Sequence, residues 1–220
     1  MAILETDGIH NSLGSVVHYN RKGKKVMRLK PANYVDPKSP KQLFHREKVR
    51  LAGQFTATCK RFLNIGYQDA PEAMDNSSNE ARSYILKNCF DTSGELPALD
   101  YSIIPISRGL IAAPVITSVT TENGLLTITW KTPVKGDGTR GNDRVMIMFY
   151  TSTGAEAFSY YYPDVATRSA GSVSVAIPTS SSTLHCWVFF HNPNVEVGES
   201  RSKVSGSVYV GVSNLAYYNI

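Results

Sequence analysis

Pro114-Val115-Ile116-Thr117-Ser118-Val119-Thr120-Thr121-Glu122-Asn123-Gly124-Leu125-Leu126-Thr127-Ile128-Thr129-Trp130 is the stretch on which the fold turns. Two runs rich in β-branched residues flank a Glu-Asn-Gly turn, which is hairpin chemistry. Strands are predicted over 115–120 and 125–130. Five more follow, over 144–150, 158–162, 172–177, 184–191 and 202–210. The breaks between them are Gly136-Asp137-Gly138, Ser152-Thr153-Gly154, Pro163, Pro178 with its serine run, Asn192-Pro193-Asn194 and Gly198. Seven strands in about 100 residues is the arithmetic of an immunoglobulin-like sandwich. Trp130 falls in the second strand and Cys186 in the sixth. The second strand has no cysteine, so an antibody-type disulfide between the sheets is ruled out. A fibronectin type III-like core around Trp130 is the better fit.

The residues before this sandwich read as a different, α+β module. Ser15–Tyr19 and Lys25–Leu29 form a predicted hairpin around Arg21-Lys22-Gly23-Lys24, with Gly8 to Gly14 as a loop. A proline-rich connector leads to the clearest helix. Ser39 is a good N-cap, Pro40 suits the first helical position, and Gln42 completes a capping box. Phe44, Leu51, Phe55, Cys59 and Phe62 recur near helical spacing, and Gly66 fits the stop. A shorter helix is predicted from Ser77 or Ser78, packing through Ala81, Tyr84, Ile85 and Phe90. A strand is predicted over 99–104, ended by Pro105. The domain assignment is therefore an N-terminal α+β module over 1–111 and a β-sandwich over 112–220.

Length, composition and charge narrow the classes. The chain has 220 residues, 42% hydrophobic and 19% charged, which is a globular composition. No run approaches the roughly 18 apolar residues of a membrane span. The opening residues have no basic stretch, apolar core or cleavage site, so a secretory leader is not expected. Residues 1–61 hold 13 Lys/Arg against 4 Asp/Glu, while the remainder holds 10 against 14. Such asymmetry suits an acidic protein partner, nucleic acid, or faces that attract each other across copies.

No catalytic constellation emerges. Cys59, Cys89 and Cys186 are too far apart in sequence for a metal knuckle and odd in number, so buried thiols are expected. The five histidines lack HxxxH and HExxH spacing. No GxSxG elbow is present, and Gly8 to Ser15 lacks the lysine of a phosphate loop. The loop acids Asp91, Glu95, Asp137, Asp143, Glu196 and Glu199 lack calcium-loop spacing. No enzyme, metal or cofactor is expected. The candidate contact residues are instead Tyr19, Arg21, Lys22, Lys24, Lys25 and Arg28 of the hairpin, Arg46 and Arg50 of the helix, and Tyr160, Tyr162, Tyr217 and Tyr218. Tyrosine and arginine are enriched where proteins meet. Non-specific phosphate contact by the basic residues is not favoured, because no nucleic-acid-binding signature accompanies them.

Several ordered stretches resemble a family of uncharacterised proteins from Bacteroidota and their phages, a domain of unknown function. They are Gly14-Ser15-Val16-Val17-His18-Tyr19 with Gly23-Lys24-Lys25-Val26-Met27-Arg28, and Ser39-Pro40-Lys41-Gln42 running through Arg46 into the Phe55 to Gly66 helix. The others are Leu99-Asp100-Tyr101-Ser102 with Ser107-Arg108-Gly109, Arg168-Ser169-Ala170-Gly171-Ser172, and Val204-Ser205-Gly206-Ser207-Val208-Tyr209-Val210-Gly211. One departure is Ser12-Leu13-Gly14-Ser15, where the family more often ends a glycine-rich stretch in Gly-Lys-Val-Gly. The resemblance implies a small N-terminal module, an immunoglobulin-like C-terminal domain, and no catalytic residues. The expected function is a structural, interacting virion component that decorates the capsid or joins the portal or tail. It would assemble in the host cytoplasm, with homo-oligomerisation compatible. A bacterial cell-envelope module and a cytosolic nucleic-acid-binding protein are the alternatives.

Overall fold

A computed structural model describes residues 11–21, 23–30, 36–68, 77–133, 141–153, 156–178, 183–194 and 203–211. The chain separates into two compact units, Met1–Pro40 and Lys41–Ile220.

The first unit is a three-stranded antiparallel sheet in the order β1-β2-β3, with β1 at Asn11–Leu13, β2 at Val16–Arg21 and β3 at Lys24–Leu29. Its tight turns need glycine. Gly14 has φ of 58° and Gly23 of 74°, which side chains with a Cβ rarely adopt. The β2–β3 hairpin forms as expected. β1 is an addition, lying where the predicted loop ran, with Leu13 opposite Val16 and Asn11 opposite His18.

In the second unit, α1 spans Pro40–Thr58, α2 Lys60–Gly66 and α3 Ser77–Asn88. Proline at the start of α1 loses nothing, since its missing N–H has no partner there. Ala52, Phe55, Thr56, Cys59, Phe62 and Leu63 are buried at helical spacing. The expected single helix breaks at Cys59. The Phe62 N–H turns to the Cys59 carbonyl at 3.0 Å, and the Ser159 hydroxyl donates to the Thr58 carbonyl at 2.9 Å. The hydroxyls of Thr56 and Thr58 bond back to Ala52 and Gln54, which also bends helices.

After α3, β4 (Phe90–Asp91) pairs with β5 (Ala98–Leu99). The strand predicted over 99–104 is a 3-10 turn at Tyr101–Ile103, because the Asp100 carboxylate accepts the Ser102 N–H at 3.0 Å. The β-rich remainder forms two antiparallel sheets. One has three strands in the order β10-β7-β6: β10 is Ser172–Ala176, β7 Leu125–Trp130 and β6 Ile116–Glu122. The other has four in the order β12-β11-β8-β9: β12 is Val208–Tyr209, β11 His185–His191, β8 Arg144–Thr153 and β9 Glu156–Tyr162.

Strand alternation divides the four-stranded sheet between two cores. Val145, Ile147 and Phe149 of β8, with Cys186, Val188 and Phe190 of β11, meet Leu126, Ile128, Trp130 and Val175 of the opposite sheet. Met146, Met148 and Tyr150, with Trp187 and Phe189, meet Phe55, Phe62, Leu63, Tyr67, Ala81 and Ile85 of the helical layer. Aromatic edges make this second contact: Phe62 lies 4.9 Å from Phe189, and Phe55 lies 4.8 Å from Tyr150. The fold class is thus α+β with a β-rich part. The sequence changes character near 111–112, but the helices before that point share a core with the strands after it.

Candidate interaction surface

The register of the N-terminal sheet sorts its side chains. Tyr19 opposes Val26, Val17 opposes Arg28, and Arg21 occupies the position opposite Lys24. Lys24, Lys25, Arg28 and Lys30 are exposed and Tyr19 is half-buried. Lys22 lies outside the described residues. On the other side, Val16 opposes Leu29 and His18 opposes Met27. Met27 and Leu29 are 68% and 72% exposed, so this small sheet shows apolar side chains to solvent.

The basic face of α1 and α2 is partly committed within the protein. Arg50 grips Glu47 through two contacts of 2.8 and 2.6 Å, and this guanidinium holds the Glu47 carboxyl below its usual range. Such an exposed pair adds little stability. Lys48 sits 4.9 Å above the Phe90 ring and Arg61 5.8 Å from that of Tyr161. Arg46 is exposed on the same helix.

The tyrosines separate. Tyr160 is 37% exposed beside Phe158 at 50%, both on the edge strand β9. Tyr162 packs 5.8 Å from Phe149 and donates its hydroxyl to the Ala176 carbonyl, bridging the two sheets. Tyr161 packs edge-on against Phe62. Tyr217 and Tyr218 lie outside the described residues, as do Asp137, Glu196 and Glu199.

Several conspicuous polar residues work inside the fold. Ser107 and Ser207 tie two distant segments together. The Ser207 hydroxyl accepts the Ile106 N–H at 2.9 Å, and the Ser107 hydroxyl donates to the Ser205 carbonyl at 2.5 Å. A Cβ on Gly109 would collide with the Val204 carbonyl, so glycine is required for this approach. Two stretches that resemble the family, Ser107-Arg108-Gly109 and Val204–Gly211, thus form one structural clamp. Asp143 and Arg168 form a buried ion pair at 3.0 Å. Arg168 also donates to the Ala112 carbonyl at 2.7 Å and stacks 4.2 Å from Phe190, while Asn192 donates to Asp143. His185 stacks 3.9 Å from Tyr101 and bonds the Tyr209 hydroxyl at 2.9 Å. Burial pushes the His185 pKa down and raises those of the Cys59 and Cys186 thiols, with Cys89 pushed up to about 11. Protonated thiols are poor nucleophiles.

Among the described residues, no three His, Cys, Asp or Glu side chains cluster as metal ligands. Among those same residues, no helix is long and apolar enough to cross a membrane.

An acidic segment was not among the sequence-derived candidates. The segment from residue 88 to 107 carries Asp91, Glu95 and Asp100 and no Lys or Arg. Leu96 is 72% exposed there and Ile103 52%. The absence of cations over twenty residues was the available signal.

In comparison with known families, residues 8–211 match a model described as a family of unknown function, DUF6266. No curated protein matches the chain.

Proposed function

The chain belongs to that family of unknown function, and from this premise we propose that it is a non-enzymatic structural protein of a phage or prophage particle. The carrying observation is the N-terminal sheet. Lys24, Lys25, Arg28 and Lys30 are exposed on it, and Met27 and Leu29 on one of its sides are exposed as well. A partner that is acidic and partly apolar relieves both conditions. The sheet serves as the docking element, and the larger unit is the rigid body it anchors.

The finer reading of the β-rich part is an immunoglobulin-like, fibronectin III-like sandwich. Its support is the strand order: in sandwich lettering, β10-β7-β6 is E-B-A and β12-β11-β8-β9 is G-F-C-C′. The exposed Phe158 and Tyr160 of β9 extend the contact surface.

Mass spectrometry of gradient-purified particles, beside cytosolic and envelope fractions of the same culture, tests the reading. Stoichiometric enrichment in particles is expected, and loss of that enrichment in a Lys24→Glu/Lys25→Glu variant. Presence in the envelope with absence from particles refutes it in favour of a cell-surface module.

A further inference from the structure

Alternation along the β2–β3 hairpin divides its cations between two faces. The register pairs Val17 with Arg28, Tyr19 with Val26 and Arg21 with Lys24, and the residues of these pairs share one face. The next pair on that face is Ser15 with Lys30, whose N–H donates to the Ser15 carbonyl at 2.7 Å. In order along the ribbon, this face carries Lys30, then Arg28, then Tyr19, then the facing positions of Arg21 and Lys24. The opposite face carries Lys25, Met27 and Leu29, across from Asn20, His18 and Val16. Lys24, Arg28 and Lys30 are exposed, while Tyr19 and Val26 are half-buried in the rung between Arg28 and Lys24. No acidic residue occurs between Asp7 and Asp36. Among the described residues, none of these three cations is paired with a carboxylate.

We propose that this face binds single-stranded nucleic acid, with phosphates on the cations and a base on Tyr19. The inference rests on the reading of the sheet as a docking element and assigns a partner to one of its faces. A face of one charge sign suits a partner of uniform negative charge. Two features favour a nucleic acid over an acidic protein. Alternate residues of a strand lie about 7 Å apart, close to the step between phosphates in an extended single strand. Lys30 and Arg28 therefore meet consecutive phosphates, and Lys24 meets one further along. Tyr19 stands in the rung without a cation, where a base lying between phosphates stacks on its ring. A duplex keeps its base faces covered, so the partner is single-stranded. These cations follow strand alternation and no linear nucleic-acid-binding motif, which is why the sequence shows no signature for them.

Fluorescence anisotropy of labelled oligothymidylate with the purified full chain tests this. The binding constant falls with salt along a log–log slope of about −3, as four phosphate contacts require. Lys24→Gln reduces that slope by about 0.7, whereas Lys25→Gln, one residue away on the opposite face, leaves it as in the wild type. Tyr19→Leu weakens binding about fivefold or more with the slope unchanged, and Tyr19→Phe retains it. Thermal melts confirm that each variant is folded, and Tyr19→Met replaces Tyr19→Leu if the latter melts early.

No binding at low salt with about 100 µM protein overturns the proposal. So does a Lys25→Gln slope reduced as much as that of Lys24→Gln, or a Tyr19→Leu variant that binds like the wild type. A duplex of the same length that binds as tightly also overturns it. Equal binding of polyglutamate overturns it too, assigning the face to an acidic protein. If no oligonucleotide binds but Lys24→Glu/Lys25→Glu still blocks incorporation into particles, the docking reading stands and the nucleic-acid assignment falls. If oligonucleotides bind as expected but particles lack the protein, the reverse holds.

Discussion

Replacing Arg168 with leucine removes the guanidinium that faces the buried Asp143 carboxylate. The two side chains are 5% and 1% exposed and 3.0 Å apart. Removing one partner of such a pair costs about 3–5 kcal/mol, because the remaining charge stays buried. The Ala112 carbonyl loses its 2.7 Å donor as well. Leucine keeps apolar contact with Phe190, which offsets part of the lost ring interaction. Against a typical domain stability of about 5–15 kcal/mol, the loss is large. With a urea slope of about 2 kcal/mol/M, the midpoint drops by about 1.5–2.5 M. A second variant isolates the charge. Asp143→Leu combined with Arg168→Leu leaves no buried ion, and recovers much of the loss even though Asn192 keeps an unmatched donor. Urea unfolding of wild type, both single variants and the double variant gives the coupling energy. A cost below about 1 kcal/mol for Arg168→Leu, or simple additivity of the two single variants, refutes the reasoning.

Two further outcomes are expected. Gly109→Ala forces a Cβ against the Val204 carbonyl and lowers stability by about 1–3 kcal/mol, whereas Gly53→Ala, with open space around its Cβ inside α1, raises it by up to about 1 kcal/mol; thermal melts of both variants check this pair. Burial holds the folded His185 pKa below the unfolded value near 6.5, so the unfolded chain binds more protons between the two. The neutral ring's contribution is therefore fully present above about pH 6.5 and is lost as pH falls through the lower, folded value. In His185→Gln the fall in stability between about pH 7 and 5 is shallower, and an unchanged slope contradicts the assignment.

Local chemistry made much of this fold legible. Asn123-Gly124 marks the β6–β7 hairpin, and β7 coincides with the predicted run from Leu125 to Trp130. Pro40 marks the start of α1. What escaped the sequence depends on distant partners. The apolar stripe passes through Cys59 without interruption, while the helix breaks there as Ser159, a hundred residues later, takes the Thr58 carbonyl. Ile103 and Ile104 suggest a strand, but the Asp100 side chain captures the next turn first. β1 hid behind Asn11, Ser12 and Gly14, which are turn formers in isolation. For the candidate surface, the cations of β3 were readable from alternation alone. The exposure of Met27 and Leu29 was not, because it reflects what fails to pack on them. The bond from the Tyr162 hydroxyl to Ala176 across the sheets was not readable either, because its partner comes from another strand.

The four-stranded sheet behaves as a party wall. Its β8 and β11 strands are the inner lining of two rooms at once, with Val145 on one side and Met146 on the other. Neither room can be demolished alone. A fragment beginning at residue 112 would turn Met146, Met148, Tyr150, Trp187 and Phe189 into an outside wall and invite aggregation. Repacking one side must be absorbed by a backbone whose other side is already filled. The change of sequence character near residue 111 is therefore a seam in the text of the protein and not a place where it can be cut.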